Sequence, residues 1–204
     1  MTSRYTSTSR TPIPQSHTPG ARAFEVRTVQ SRDADRDDLR AAEQLVKRSF
    51  GKEFRDNDWR HGLGGTHVFV NDDVDTLLAH AAIVPRVIRH GANALHVGYV
   101  EAVAVTPDLQ GRGLGRALMN QVESIVRAEY ELGALNAIKD AVPFYLHRGW
   151  ALWTGATAAL DRAGGVVATN DAEDRIMLLG SQLQALEIDP CSVLTCDWRP
   201  GDVW

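Results

Sequence analysis

Cysteine is nearly missing from this chain: Cys191 and Cys196 are the whole complement in 204 residues. A bridge between positions so close would be unusual, and a chain of this size needs no stapling, so both thiols read as reduced. No second Cys/His pair completes a site with them, so no metal is expected. Long apolar runs are missing too. No window approaches the length needed to span a bilayer, and the arginine near the N-terminus has no apolar core behind it. No membrane partner and no secretory signal are therefore expected, and a cytoplasmic location is. Positive charge is not in excess either: the net charge is −4 and the pI about 6.0, which argues against nucleic acid as a partner.

What is present is the bulk of one ordinary domain, with 44% hydrophobic residues and no internal repeat. Residues 1–22 are rich in Ser, Thr and Pro and are expected to be disordered. The acidity is concentrated. From Asp161 onward eight acidic residues face three basic ones, a balance of −5, so the rest carries +1 of the total −4. Such a segment suits a cationic ligand, or it is simply a solvated surface.

The most informative stretch runs from Tyr99 to Met119, where the apolar run Val100-Glu-Ala-Val-Ala-Val105 passes into a helix through Gln110-Gly-Arg-Gly-Leu-Gly115. Small residues at a helix start let unpaired backbone N–H groups converge on an anion, and the helix dipole adds positive character there. The dinucleotide fingerprint fails, because the glycines run Gly111-x-Gly113-x-Gly115 and no acidic residue closes a second strand. The phosphate loop with Lys-Ser/Thr fails as well, since Arg116 and Ala117 follow Gly115.

The pattern Gln/Arg-x-x-Gly-x-Gly after an apolar strand resembles the signature of the GCN5-related N-acetyltransferase (GNAT) superfamily, matched by Gln110, Gly113 and Gly115. The resemblance implies an α/β fold with a mixed sheet flanked by helices, one acetyltransferase domain over residues 23–204. It implies a pyrophosphate cradle for acetyl-CoA at Gln110, Gly111, Arg112, Gly113, Leu114 and Gly115. It further implies that the backbone of Val103, Ala104 and Val105 meets the thioester carbonyl and pantetheine arm, with Asn136 as a further pantetheine contact. An ordinary strand spends its N–H groups on a neighbour, so a bulge or splay in this strand is required.

Periodicity places the remaining elements. Phe24 to Val29 reads as a strand, and Asp37 to Phe50 as an amphipathic helix capped by Asp33 or Asp35. Glu53 to His61 reads as a short helix or loop, and Thr66 to Val70 and Thr76 to Ile88 as strands. After Leu95 to Val105 comes a helix from Gly111 to about Tyr130, a strand from Leu135 to Ile138, and a helix capped by Asp140 with Pro143 in its first turn. Ala151 to Trp153, Arg175 to Leu179 and Val193 to Trp198 read as closing strands, the first two joined by a long polar hairpin.

Acetyl transfer to an amine needs a base and an acid. Glu101 lies two residues before Val103, about 7 Å along the same face, and a carboxylate within an apolar run is costly unless paired or used. It is expected to act as general base, directly or through water; the alternative is a structural Glu facing solvent or an Arg. Tyr145, in the motif Phe-Tyr-x-x-x-Gly, matches the superfamily's general acid. A tyrosine that merely packs is the alternative.

The ending Cys196-Asp-Trp-Arg-Pro-Gly-Asp-Val-Trp204 sets two tryptophans among acids, which suggests a docked segment. With Phe50-Gly-Lys-Glu-Phe, Asp58-Trp, Leu63-Gly-Gly, Gly98-Tyr-Val-Glu-Ala-Val-Ala-Val and Gly133-Ala-Leu, it resembles the aminoglycoside 2′-N-acetyltransferases from about Phe24 to Trp204. The implied acceptor is a cationic aminoglycoside, acetylated at its 2′-amine with antibiotic resistance as the result. The implied acceptor site comprises Glu53, Glu101, Ala102, Asp174, Asp202 and Trp204 with its carboxylate, with Glu173 and Asp171 as rivals of Asp174; Asp58 is a further candidate from its spacing alone. A homodimer is implied by the family alone. Other readings are acetylation of a polyamine, a protein N-terminus or a lysine, and a non-catalytic acyl-CoA module.

Overall fold

The computed structural model describes residues 24–51, 55–169, 174–180 and 192–204. Residues 1–22, expected to be disordered, lie outside the described residues, as do Cys191 and the acceptor candidates Glu53, Asp171 and Glu173. The chain divides into two compact units. Of the described residues, the first contains those up to Ala82 and the segment Ala102–Val122, and the second Ile83–Glu101 and those from Glu123 to Trp204.

In the first unit β1 (Phe24–Gln30) pairs antiparallel with β2 (Thr66–Asp72), from Phe24↔Asp72 to Gln30↔Thr66. Every residue of β2 is buried, as fits a strand with neighbours on both edges, β1 and β3 (Leu77–His90). Helix α1 (Arg36–Phe50) begins at Asp35, whose carboxylate accepts the Asp37 N–H at 2.7 Å. Its apolar stripe buries Ala42, Leu45 and Val46 in one cluster with Val29, Phe69, Ala104 and Trp59 of α2 (Asp56–His61).

β4 (Asn93–Val105) runs through both units, and α3 (Leu114–Glu129) follows it. The helix starts three residues later than Gly111, because Gly111 and Gly113 take φ of 74° and 88°, which no right-handed helix accommodates.

In the second unit the strands follow the order β6-β9-β5-β4-β3-β10-β7-β8. β5 (Leu132–Asn136) runs parallel to β4, and β9 (Ile176–Leu179) pairs antiparallel with both β5 and β6 (Ala151–Leu152). β5 begins earlier than expected and leaves Ile138 exposed beyond its end. Its glycine misleads a propensity reading: a Cβ on Gly133 would stand 2.7 Å from Val126 and 3.3 Å from Leu179, so the strand needs glycine there to pack.

Two further expectations are corrected. Asp140 does not cap the next helix; it lies in a 3₁₀ turn (Lys139–Ala141), and α4 (Val142–His147) starts from Ala141 without a side-chain cap, with Pro143 in its first turn. The link between β6 and β9 also carries strands of its own, β7 (Thr157–Leu160) and β8 (Val166–Ala168). Their turn is organised by Asp161, whose carboxylate accepts the N–H groups of Ala163 at 2.8 Å and Gly165 at 2.7 Å. Strands of three and four residues are too short to show an alternating pattern, which hid them. β10 (Leu194–Cys196) lies antiparallel to β3 and parallel to β7. The architecture is mixed α/β, a sheet of parallel and antiparallel pairs flanked by helices.

Candidate active site

The required distortion is in β4. Its pairing with β5 ends at Tyr99↔Ala134, and three residues on Ala102 adopts φ of 51°. A left-handed alanine costs roughly 1–2 kcal/mol, so the surroundings must hold it. The Ala102 carbonyl accepts a hydrogen bond from His80 Nδ1 at 3.1 Å, and Gly62, at the end of α2, brings its backbone close to the Ala102 methyl. Thr106, just past β4, returns to donate its N–H to Leu78 O at 2.8 Å. Val103, Ala104 and Val105 therefore lie between a kink and a restored bond.

The glycine loop has the form an anion needs. A Cβ on Gly111 or Gly113 would meet nothing within 4 Å, so glycine is required there for its backbone conformation and leaves the approach open. The first helical bond of α3 is Ala117 N–H to Gly113 O at 3.0 Å, and the N–H groups of Leu114, Gly115 and Arg116 have no acceptor within the helix. The first turn carries no acid, while Arg112 and Arg116 are exposed. Gln110 donates through Nε2 to Val105 O at 3.4 Å, tying the loop back to the strand. These residues fit a diphosphate.

In the second unit the expected base faces an arginine. Glu101 accepts a hydrogen bond at Oε1 from Arg199 Nη1, and the side chains are only 15% and 12% exposed. Burial raises the Glu101 pKa above its ordinary value, and the Arg199 charge opposes that rise without cancelling it. Asp202 is near enough for its own charge to push Glu101 further upward. Sequence reasoning passed over Arg199, although it stands inside the tail motif.

Arg199 also donates to the backbone oxygens of Asp202 at 2.8 Å and Trp204 at 3.0 Å. Arg86 repeats the device from β3, donating to Asp197 Oδ1, Asp197 O and Val203 O, each at 2.8 Å. Both guanidinium groups lie over the Tyr99 ring, at 4.8 Å for Arg86 and 5.3 Å for Arg199. Trp204 is buried, and its indole N–H donates to Thr169 Oγ1 at 2.7 Å. The tail is docked through Trp204, while Trp198, the other tryptophan, stays exposed. Asp202 remains exposed, with Oδ1 accepting the Trp204 N–H at 3.2 Å.

Tyr145 is buried in α4, edge-on to Phe144 and Trp150. Burial pushes its phenol well above the ordinary value, with a smaller opposing effect from Arg148. The segment after α4 is fixed by Glu123, a buried carboxylate that holds Arg148 through two bonds, at 2.7 and 2.9 Å, and the Trp150 indole at 2.9 Å. Asn136 spends its amide inside the protein: Nδ2 donates to Asp174 Oδ1 at 2.7 Å, and Oδ1 accepts Arg175 N–H at 2.8 Å. Asp174 is thereby placed beside the end of β5. Asp58 closes the first turn of α2 by accepting the Arg55 N–H at 2.7 Å. Among the described residues no cluster could hold a metal ion, and no helix is long and apolar enough to cross a membrane.

The family model for the acetyltransferase (GNAT) domain matches residues 30–153. An aminoglycoside 2′-N-acetyltransferase from Mycolicibacterium fortuitum is 43% identical over 179 residues, 87% of this chain and 91% of that protein. Among solved structures, the GNAT family N-acetyltransferase YhbS from Escherichia coli, in complex with CoA, superposes with a TM-score of 0.63 at 16% identity, covering 90% of this chain and 94% of that one. ElaA from Escherichia coli gives 0.54 at 18% identity over 76% and 99% of the two chains. The kinked strand, the left-handed glycine loop and these likenesses together establish that the chain belongs to the GNAT acetyltransferase family.

Proposed function

We propose that this enzyme transfers the acetyl group of acetyl-CoA to the 2′-amine of aminoglycosides. The observation that carries the reading is the docked tail: Arg199 ties Trp204 and the Asp202 backbone to Glu101, so an exposed acid and the candidate base lie together. The same ending is among the blocks that suggest this acceptor, and the relative from M. fortuitum bears the same activity in its name.

Acetyl-CoA supplies the thioester whose carbonyl carbon the amine attacks. The loop from Gln110 to Gly115 holds the diphosphate, and the backbone of Val103 to Val105 faces the carbonyl and pantetheine. Asp202, Asp174 and the Trp204 backbone oxygen attract the cationic sugar. Glu101 accepts the proton of the attacking amine, through water, at Oε2, since Oε1 is held by Arg199. Burial strengthens it as a base, while the Arg199 charge favours its ionised form.

Tyr145 serves the departing sulfur. A phenol held above its ordinary range is fully protonated at neutral pH, but passing that proton outright to a thiolate, with an ordinary pKa of about 8.5, is uphill. Its contribution is a hydrogen bond donated to the sulfur as negative charge develops.

Purified protein incubated with acetyl-CoA and aminoglycosides bearing a 2′-amine or a 2′-hydroxyl tests this. Thiol release with the 2′-amino compounds and a product acetylated at that nitrogen are expected. No release with any compound sinks the acceptor assignment, and equal rates with 2′-hydroxyl compounds sink the regiochemistry. Acetylation removes one positive charge from the drug, so cells expressing the protein should tolerate higher concentrations. A cytoplasmic homodimer belongs to the same reading, and native mass measurement tests the dimer.

A further inference from the structure

His67 in β2 and His80 in β3 are fully buried, and the mechanism above uses neither. Their rings lie 5.3 Å apart between the rings of Trp59 and Phe69. Four polar groups form one line: Ser31 Oγ is 2.8 Å from His67 Nε2, His67 Nδ1 is 3.0 Å from His80 Nε2, and His80 Nδ1 is 3.1 Å from Ala102 O. Burial lowers the pKa of His67 to about 4 and of His80 to about 3, so both rings are neutral at physiological pH.

With neutral rings one arrangement of protons satisfies the whole line. A carbonyl only accepts, so His80 carries its proton on Nδ1 and leaves Nε2 bare. His67 must then donate from Nδ1, which leaves its Nε2 to accept the Ser31 hydroxyl proton. The serine oxygen accepts the Gly64 N–H at 2.9 Å, and its hydroxyl lies nearer His67 Nε2, at 2.8 Å, than the Gly65 carbonyl at 3.1 Å, which also takes the Ser31 N–H at 2.9 Å. The line has a direction, and it ends on the carbonyl of the left-handed residue of β4.

We propose that Ser31, His67 and His80 form a positioning relay that holds the Ala102 kink, and through it the backbone of Val103 to Val105, in the conformation that receives the acetyl donor. This rests on the acetyl-CoA reading and adds residues that touch neither donor nor acceptor.

The test combines ring-nitrogen NMR of the unaltered chain with acetyl-CoA affinity and turnover of variants. Both rings should carry the proton on Nδ1 with Nε2 bare at pH 7; a proton on His80 Nε2 alone, or a charged ring, overturns the relay. His80→Leu removes the donor, and a kink set slightly wrong should lower kcat/KM for acetyl-CoA about tenfold or more. His80→Asn places an amide N–H near the former Nδ1 and should stay within about threefold of the unaltered enzyme, since the bond to Ala102 is kept. Ala102→Gly added to His80→Leu should recover part of the loss, because glycine holds a positive φ without help.

Folded His80→Leu protein with unaltered kcat/KM overturns the proposal, as do equal losses in the Leu and Asn variants. If His80→Leu does not fold, the NMR and His80→Asn decide alone. Affinity for acetyl-CoA, read by calorimetry, needs no acceptor. Unaltered protein that binds acetyl-CoA but acetylates no aminoglycoside would overturn the acceptor and leave the relay standing.

Discussion

Replacing Arg199 with alanine should cost stability in a way that depends on pH, with a sign set by Glu101. The pair is buried on both sides, so removing one partner leaves a desolvated carboxylate, a change that costs about 3–5 kcal/mol. In a domain of this size that lowers Tm by roughly 6–20 °C. Glu101 already binds its proton more tightly folded than unfolded, because burial outweighs the arginine. For a group shifted that way, stability falls as pH rises from the unfolded pKa through the folded one. Without Arg199 the folded value climbs further and the falling window widens. The variant should therefore lose more stability at pH 8 than at pH 5.

A double-mutant cycle separates the charge pair from the rest. Glu101→Gln with Arg199→Ala removes both charges, and the coupling should be about 0.5–3 kcal/mol. The double variant should still melt below the unaltered protein, since the bonds from Arg199 to the Asp202 and Trp204 oxygens are lost too. Thermal melts at the two pH values provide the measurement. A loss below about 1 kcal/mol, equal at both pH values, would show a screened surface pair and refute this reasoning.

Other outcomes follow from single residues. Tyr145→Phe removes a hydrogen bond to the developing thiolate and should lower kcat about a hundredfold with little change in acceptor KM, checked by steady-state kinetics; an unchanged kcat removes the phenol from the reaction. Gly113→Ala should weaken CoA binding through backbone strain of roughly 1–2 kcal/mol, since its Cβ would meet nothing. Gly133→Ala should instead lower Tm by overpacking worth about 1–3 kcal/mol, because Val126 and Leu179 occupy the space. His67 and His80 are held neutral, so stability should fall as pH drops from about 6.5 towards 4, where the unfolded chain takes up protons that the folded one refuses. His80→Asn should flatten part of that acid limb, which pH-dependent melts would reveal.

What could be read from the sequence was local, and what could not was long-range and polar. Asp35 as the α1 cap, Pro143 in the first turn of α4 and the glycine loop before α3 each depend on a few consecutive residues, and each is found where the spacing put it or within a few positions. β7 and β8 were hidden because they are four and three residues long, too short for an alternating pattern to show. The partners of the site residues were hidden for a different reason. Glu101 meets Arg199 across 98 positions, Arg86 meets Asp197 across 111, and the Ala102 carbonyl finds its donor 22 residues back. Hydrophobic periodicity tells which face of an element is buried, but not which polar group waits there. The costly features of β4 did pose that question in advance, since a carboxylate in an apolar run demands a partner and a kinked strand demands a replacement donor. Arg199 and His80 are the answers, and only the folded chain could supply their names.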